Sequence, residues 1–320
     1  MSESTETTSI PDEVTDVDGR FHALVRRLSE QSVRKNFDAY LDVPWDDHEI
    51  HSADPRWELD GDDPLARTAW YQALPQPERA RLGLFAVVSK MKTGLEFENV
   101  LCRGILEYVN TLPNGAPEYR YAMHELIEEG QHQLMFQEFV NRSGIDVDGM
   151  PWDARLGSRI VVSMGSWFPE LFFMFVLGGE DPIDHVQRES LRRGGAHPLL
   201  ERIMKNHVTE EARHLSFARH YLKNRIESMP RRGRFALSIG TPLILGEMGR
   251  LMLMPSKQLV AEFAIPDHVI REAYTENPEF LEGAATALQK VRRLAGELGL
   301  LTPLARRIWK RKNIWADPED

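Results

Sequence analysis

Apolar residues recur at helical spacing along almost the whole chain, and this pattern constrains the fold more than any other feature. No stretch shows the alternation of apolar and polar residues that a half-buried strand requires, and the chain has no internal repeat. We therefore predict an all-α protein with an ordered loop over residues 36–62. The predicted helices span residues 20–34, 64–73, 77–110, 117–142, 153–177, 182–191, 197–226, 232–254, 256–263, 267–275 and 278–298.

The two ends of the chain differ from its body in charge. Residues 1–19 carry six acidic and no basic residues and are nearly free of large apolar residues, which predicts a disordered acidic tail. This stretch lacks the basic and apolar regions of a signal peptide, so we expect a cytoplasmic protein. Residues 20–320 are predicted to form a single helical domain. The net charge of −10 argues against nucleic acid as the partner.

The C-terminal end carries a compact basic cluster with two interleaved tryptophans. Contact with RNA or another anionic surface is one reading of such a cluster. A solvated terminal helix with amphipathic tryptophan anchors is the favoured reading. The cluster consists of Arg306, Arg307, Trp309, Lys310, Arg311, Lys312 and Trp315.

Two apolar segments, residues 160–177 and 235–254, approach the length of a membrane span. Each contains a proline and a carboxylate, Glu170 in the first and Glu247 in the second. A carboxylate in the middle of a bilayer is costly, so both segments are predicted to be buried helices without a membrane span. Glu170 inside such a helix then needs a partner.

A single cysteine, Cys102, excludes every metal site built from several thiolates, so a bound metal would need histidine and carboxylate ligands. The motif Glu-x-x-His occurs twice, as Glu129/His132 and as Glu211/His214. Residues three apart share one helix face, so each pair could reach one cation. One such pair is a weak signal, and the helix faces on which the two pairs lie are the stronger indication of a metal site.

Both pairs lie in the middle of faces that are otherwise apolar. On the helix 197–226, His207 joins Glu211 and His214 on a face with apolar residues at both ends, while arginines and lysines occupy the opposite face. On the helix 77–110, Glu98 interrupts an apolar face and Glu96 lies on a polar one. Unpaired buried carboxylates are expensive, and a shared multivalent cation offsets that cost.

Taken in chain order, these residues follow the pattern of a ferritin-like four-helix bundle with a di-iron site. Each residue has an alternative role, because Glu98 could pair with an arginine and His132 and His214 could be ordinary core histidines. Glu125, one turn before Glu129, could support the site or replace a ligand. The candidate ligands are Glu98, Glu129, His132, Glu170, His207, Glu211 and His214.

The seven-residue pattern resembles the p-aminobenzoate N-oxygenase (AurF-like) family of di-iron oxygenases. The match lies in His-x-x-x-Glu-x-x-His at residues 207–214, in acid-Glu-x-x-His at residues 128–132, and in the apolar runs after Glu98 and Glu170. It covers roughly residues 25–255 and departs from the family by a longer stretch after Glu170, residues 178–200. The resemblance implies a ferritin-like bundle with flanking helices, bridging roles for Glu129 and Glu211, and a homodimer.

The same resemblance implies an O₂-dependent N-oxygenase that oxidises an aryl amine through the hydroxylamine towards the nitro compound. Two iron ions would be the cofactor, with manganese as an alternative, and an external reductase or ferredoxin would supply electrons. The substrate would be a small molecule. One alternative is a di-iron hydroxylase or desaturase acting on C–H bonds of an acyl or lipid substrate. Others are a non-enzymatic iron-binding bundle and a metal-free interaction protein.

Overall fold

The computed structural model describes residues 12–315, with side chains from residue 18 onward except that of Arg250. Every regular element in this range is helical, including one 3₁₀ turn at Pro55–Trp57 and one π turn at Arg271–Thr275. The α-helices are α1 (Asp12–Arg34), α2 (Ala69–Gln72), α3 (Gln76–Val109), α4 (Pro117–Ser143), α5 (Trp152–Trp167), α6 (Pro169–Arg193), α7 (Pro198–Glu227), α8 (Arg231–Leu253), α9 (Lys257–Glu262), α10 (Asp267–Ile270), α11 (Pro278–Ala287), α12 (Gln289–Glu297) and α13 (Pro303–Arg311).

Four long helices form the centre of the protein. α3 packs against α4 and α6 packs against α7, while further contacts join α3 to α6 and α4 to α7. The remaining helices surround this bundle: α1 lies on α4 and α7, α5 on α3 and α6, and α8 and α12 on α6. The predicted all-α fold, a four-helix core with flanking helices, is confirmed.

The largest departure from the predicted helices concerns α5 and α6. The sequence predicts one helix over 153–177 that ends at Gly178-Gly179, but the break lies ten residues earlier, at Phe168. Phe168 leaves the helical region (φ −148°, ψ 62°) because the ring of Pro169 disfavours helical backbone in the residue before it, and Pro169 then occupies the first turn of α6.

The two glycines instead allow close packing in the middle of α6. A Cβ atom on Gly178 would overlap Leu245 of α8, and one on Gly179 would overlap the ring of Phe97 in α3. The glycines are therefore needed for helix contacts and do not end the helix. The segment 178–200, which looked like an insertion, consists of the rest of α6, a turn and the start of α7.

The N-terminal helix starts earlier than predicted. α1 begins at Asp12, inside the stretch predicted as a disordered tail, and residues 1–11 of that stretch lie outside the described residues.

Apolar side chains fill both ends of the four-helix bundle along its long axis. One large cluster contains residues of α3, α4, α6 and α7 together with α8 and α12, and a second contains the opposite ends of α3, α4 and α7. Between them lies a layer of buried polar side chains. None of the described helices combines the length and the apolar character needed to cross a bilayer.

Candidate metal centre

Seven side chains with metal-ligating atoms meet in this polar layer. One comes from α3, two from α4, one from α6 and three from α7. Their atoms form three overlapping groups, and within each group all atoms lie within 4.8 Å of one another. All seven side chains are buried. The residues are Glu98, Glu129, His132, Glu180, His207, Glu211 and His214.

Two carboxylates occupy the middle of the group. Oε2 of Glu129 lies 3.0 Å from Nδ1 of His132, and Oε1 lies 2.9 Å from Nδ1 of His214. Oε1 of Glu211 lies 3.1 Å from Nδ1 of His214, 3.5 Å from Nδ1 of His132 and 3.9 Å from Nε2 of His207. Each of these two carboxylates therefore spans two or three imidazoles, which is the placement that a ligand shared by two cations requires.

The histidines of α4 and α7 are oriented by each other's motif. Both helices carry the sequence Glu-Glu-x-x-His, at residues 128–132 and 210–214. Nε2 of His132 donates to Oε2 of Glu210 at 2.9 Å, and Nε2 of His214 donates to Oε2 of Glu128 at 2.7 Å. With the outer proton held at Nε2, each Nδ1 faces the centre, and its lone pair would become available to a cation that displaces the inner proton.

Further groups hold these outer carboxylates in place. Nη2 of Arg213 lies 2.8 Å from Oε1 of Glu128 and 3.7 Å from Glu210. The backbone N–H of Phe37 donates to Oε1 of Glu210 at 3.0 Å. The loop after α1 is thereby connected to the ring of His132, and this contact could not be predicted from the sequence because the two residues are far apart in the chain.

The inner carboxylates strongly perturb one another. Burial raises the pKa of Glu98 and of Glu180 well above the usual value, and neighbouring carboxylates raise both further. Although burial favours its neutral form, the charges of His214 and His132 hold the pKa of Glu129 well below its usual range. The Glu129, Glu210 and Glu211 carboxylates outweigh burial and raise the pKa of His132 to about 10. Protons thus occupy sites that cations would take.

Several buried ligand atoms have no hydrogen-bonding partner. They are Oε2 of Glu98, Oε2 of Glu211 and Nδ1 of His207. Such atoms are costly in a protein interior unless a cation coordinates them. Four carboxylates with three neutral imidazoles also balance the charge of two divalent ions. The donor set of oxygen and imidazole nitrogen suits iron or manganese. On both counts the residues fit a dinuclear centre.

Of the seven residues predicted from the sequence, the structure brings six together and leaves Glu170 outside. Glu170 lies at the first turn of α6, where Nε of Arg225 approaches its Oε1 at 3.5 Å. Glu180, three turns further along α6, occupies the position expected of the fourth-helix ligand. The error has a physical cause: Gly178 and Gly179 predict a helix end, and Glu180 lies beyond that predicted end. Pro169, which marks a helix start, was the signal that could have corrected it.

The residues considered as substitutes lie at the edge of the centre. Glu96 is on the outer face of α3 and binds Arg155 and the backbone N–H of Met150. Glu125 is 1% exposed, and neither of its oxygens has a hydrogen-bonding partner. Burial raises the pKa of Glu125 to about 8, with Glu129 adding to the rise and His214 opposing it. Glu125 is therefore a neutral acid at pH 7 in this structure.

Cys102 lies one turn from Glu98 and is not poised to ligate. Gln133 donates to its Sγ from 3.3 Å, and burial raises the pKa of the thiol to about 12. A thiol that keeps its proton is neither a nucleophile nor a metal ligand.

Comparison with known proteins identifies the family. The family model described as p-aminobenzoate N-oxygenase AurF matches residues 19–299. The chain belongs to this family. An uncharacterized protein of Mycobacterium bovis and one of Mycobacterium tuberculosis H37Rv are each 41% identical to it over 304 residues, covering 94% of this chain and 89% of each relative. No solved structure matches the chain significantly. The resemblance inferred from the motifs is thus confirmed at the level of the family, which is one of oxidoreductases.

Proposed function

We propose that the protein is a di-iron oxygenase that oxidises the nitrogen of a small amine, with an aryl amine as the substrate class. The observation that carries this proposal is the convergence of four carboxylates and three imidazoles from α3, α4, α6 and α7 in one buried layer. Family membership supports the reaction class, because the matching model is named for an N-oxygenase. We expect the active form to be a homodimer, as implied by the same resemblance.

The seven residues would hold two iron ions, with manganese as the alternative metal. Glu129 and Glu211 are the proposed bridging ligands, since each lies between two or three imidazoles. Glu98, Glu180 and the three histidines are the proposed terminal ligands. When bound, two ferrous ions supply electrons and open coordination positions for the reduction of O₂.

The protein's own groups would prepare and shield this site. Glu128 and Glu210 keep a proton on the outer nitrogen of each paired imidazole, so that the inner nitrogen stays available. The apolar clusters on both sides of the polar layer exclude water, which strengthens the electrostatic interactions of the bound ions. Further reducing equivalents must come from outside, because one cysteine cannot form a dithiol redox pair.

The metal assignment is tested by loading the protein with Fe²⁺ under anaerobic conditions and measuring bound iron. We expect about two iron ions per chain. Glu180→Gln and Glu170→Gln form a matched pair, because both remove one buried carboxylate from α6. Glu180→Gln should lose iron, whereas Glu170→Gln should retain it. The proposed ligand set would be refuted if Glu170→Gln lost iron while Glu180→Gln retained it. A protein that binds no iron, and whose stability is unchanged in His207→Ala/Glu211→Ala, would refute the metal centre.

The reaction is tested separately by O₂ consumption and product analysis with a chemical reductant. p-Aminobenzoate serves as the probe aryl amine and a fatty acyl substrate as the comparison. Hydroxylamine or nitro products from the amine support N-oxygenation. Hydroxylation or desaturation of the acyl substrate alone would favour the C–H oxidase instead. Iron uptake without any substrate-dependent O₂ consumption would identify an iron-binding bundle without this activity.

A further inference from the structure

The C-terminal helices form a strongly basic surface on an otherwise acidic protein. Residues 288–315 contain eight basic residues and one acidic residue, Glu297, and residues 316–320 add Asp317, Glu319 and Asp320, while the whole chain carries −10. Seven of the basic side chains are exposed in the structure and define what we term the basic surface. They are Lys290 and Arg293 of α12 and Arg306, Arg307, Lys310, Arg311 and Lys312 at α13.

The fold joins α12 and α13 into one surface. Trp315 lies at their junction, with the guanidinium carbons of Arg292 and Arg306 at 5.6 and 5.9 Å and Nζ of Lys310 at 5.8 Å from its ring centroid. Trp309, 1% exposed, anchors α13 in the core. Positive charges are thus gathered around one aromatic ring, although like charges repel. A cluster of this kind attracts and orients a negatively charged partner.

This surface reaches the candidate metal centre through α6. Nζ of Lys290 lies 3.8 Å from Oδ1 of Asp181, which is buried and directly follows Glu180 in the chain. Arg219 of α7 also pairs with Asp181. Nζ of Lys223 binds Glu297 at 2.8 Å and fixes α12 against α7. Lys290, an exposed lysine of the basic surface, therefore contacts the residue next in sequence to Glu180, a proposed ligand.

We propose that the basic surface docks an acidic one-electron carrier, a small iron–sulfur or flavin protein, which reduces the metal centre from the α6 side. This inference rests on the proposed function. In the transfer, two ferric ions accept two electrons and become ferrous, while two one-electron carriers are oxidised. Nucleic acids and anionic membranes are the competing partners for a basic surface. The contact between Lys290 and Asp181 favours the carrier, because only an electron donor benefits from proximity to the centre.

Docking is tested with a reduced plant-type [2Fe–2S] ferredoxin, which has an acidic surface. Arg307→Glu/Arg311→Glu reverses two exposed charges of α13, and Arg26→Glu/Arg27→Glu reverses two exposed arginines of α1 as a matched control. Binding to the metal-free protein is measured by calorimetry at low and high salt. We expect the α13 variant to bind at least ~10-fold more weakly, the control to bind normally, and wild-type binding to weaken with salt.

Electron transfer is measured on the ferric protein by anaerobic stopped-flow, from the absorbance of the oxidised ferredoxin. The α13 variant and Lys290→Glu should slow reduction by ferredoxin by at least ~10-fold while leaving reduction by dithionite with methyl viologen unchanged. The proposal would be overturned if these variants bound ferredoxin as tightly as wild type does, or were reduced by it as fast. The proposal would also be overturned if the α1 control lost as much ferredoxin affinity as the α13 variant. A third refuting result is that wild type binds RNA or anionic vesicles more tightly than ferredoxin and that the α13 variant abolishes this binding.

The two levels of inference fail in different ways. If the protein retains no iron, the proposed function fails, but the calorimetric test on metal-free protein still decides whether ferredoxin docks at α13. In the other case, the iron-loaded protein oxidises amines with a chemical reductant while the charge reversals leave its affinity for ferredoxin unchanged. The proposed docking surface is then wrong and the proposed function stands.

Discussion

Glu125 offers a test of the electrostatics of the buried layer that needs no metal. Its carboxyl group is enclosed by the bundle, and burial, with the added charge of Glu129 and against that of His214, raises its pKa to about 8. Between pH 4.5 and 8 the unfolded chain therefore releases a proton that the folded chain keeps. A retained proton of this kind makes folding less favourable as the pH rises through this window.

The magnitude follows from the width of the window. Each pH unit within this window lowers the free energy of unfolding by about 1.4 kcal/mol. The raised pKa of Glu125 therefore lowers the free energy of unfolding by about 3 kcal/mol at pH 7 and by less than about 1 kcal/mol at pH 5. Glu125→Gln keeps the shape of the side chain and removes its titration. The metal-free variant should therefore be more stable than metal-free wild type, by an amount that grows by about 2 kcal/mol between pH 5 and 7.

Urea unfolding of both metal-free proteins, followed by tryptophan fluorescence at several pH values, measures this difference. Any change in packing or hydrogen bonding adds a constant offset, so the slope with pH is the diagnostic quantity. Glu107→Gln, an exposed carboxylate on α3, is the control and should shift stability by no more than about 0.5 kcal/mol at any pH. A stability difference for Glu125→Gln that stays constant from pH 5 to 8 would refute the raised pKa.

Two further predictions concern the outer carboxylates and the packing of the bundle. Glu128→Ala removes the hydrogen-bond acceptor of His214 and should weaken iron binding by about 10–100-fold, measured by competition with a chelator; unchanged affinity would contradict its orienting role. Gly104→Ala should destabilise the fold by about 1–3 kcal/mol, because a methyl group there overlaps the ring of Phe172. Gly130→Ala, in open space on α4, should instead stabilise it by about 0.5–1 kcal/mol, and equal effects of the two changes would show that packing is not the cause.

The fold and most of the centre could be predicted because both depend on local sequence spacing. Helical periodicity located three of the four long helices, α3, α4 and α7, and the face shared by residues i, i+3 and i+4 selected Glu98 over Glu96. Both features follow from helix geometry alone. The family resemblance then followed from residues 128–132 and 207–214, and the family comparison confirmed it.

The errors arose where tertiary packing overrides a local signal. Gly178 and Gly179 have the composition of a helix end, but they lie where neighbouring helices approach α6 too closely for a side chain. Glycine serves both purposes, and only the positions of Leu245 and Phe97 distinguish them. Ending the helix there placed Glu170 in the centre and excluded Glu180. The link between Glu210 and Phe37 could not be predicted either, because it joins distant parts of the chain.

The reciprocal bonds between the two Glu-Glu-x-x-His motifs have a consequence for folding. The carboxylate that fixes each imidazole belongs to the other helix, so neither α4 nor α7 alone carries an oriented histidine. A compact intermediate that retains its helices but has loose side-chain packing would keep every ligand, yet its imidazoles would sample both tautomers. In the proposed metal centre, the orientation of both imidazoles therefore depends on the correct packing of α4 against α7.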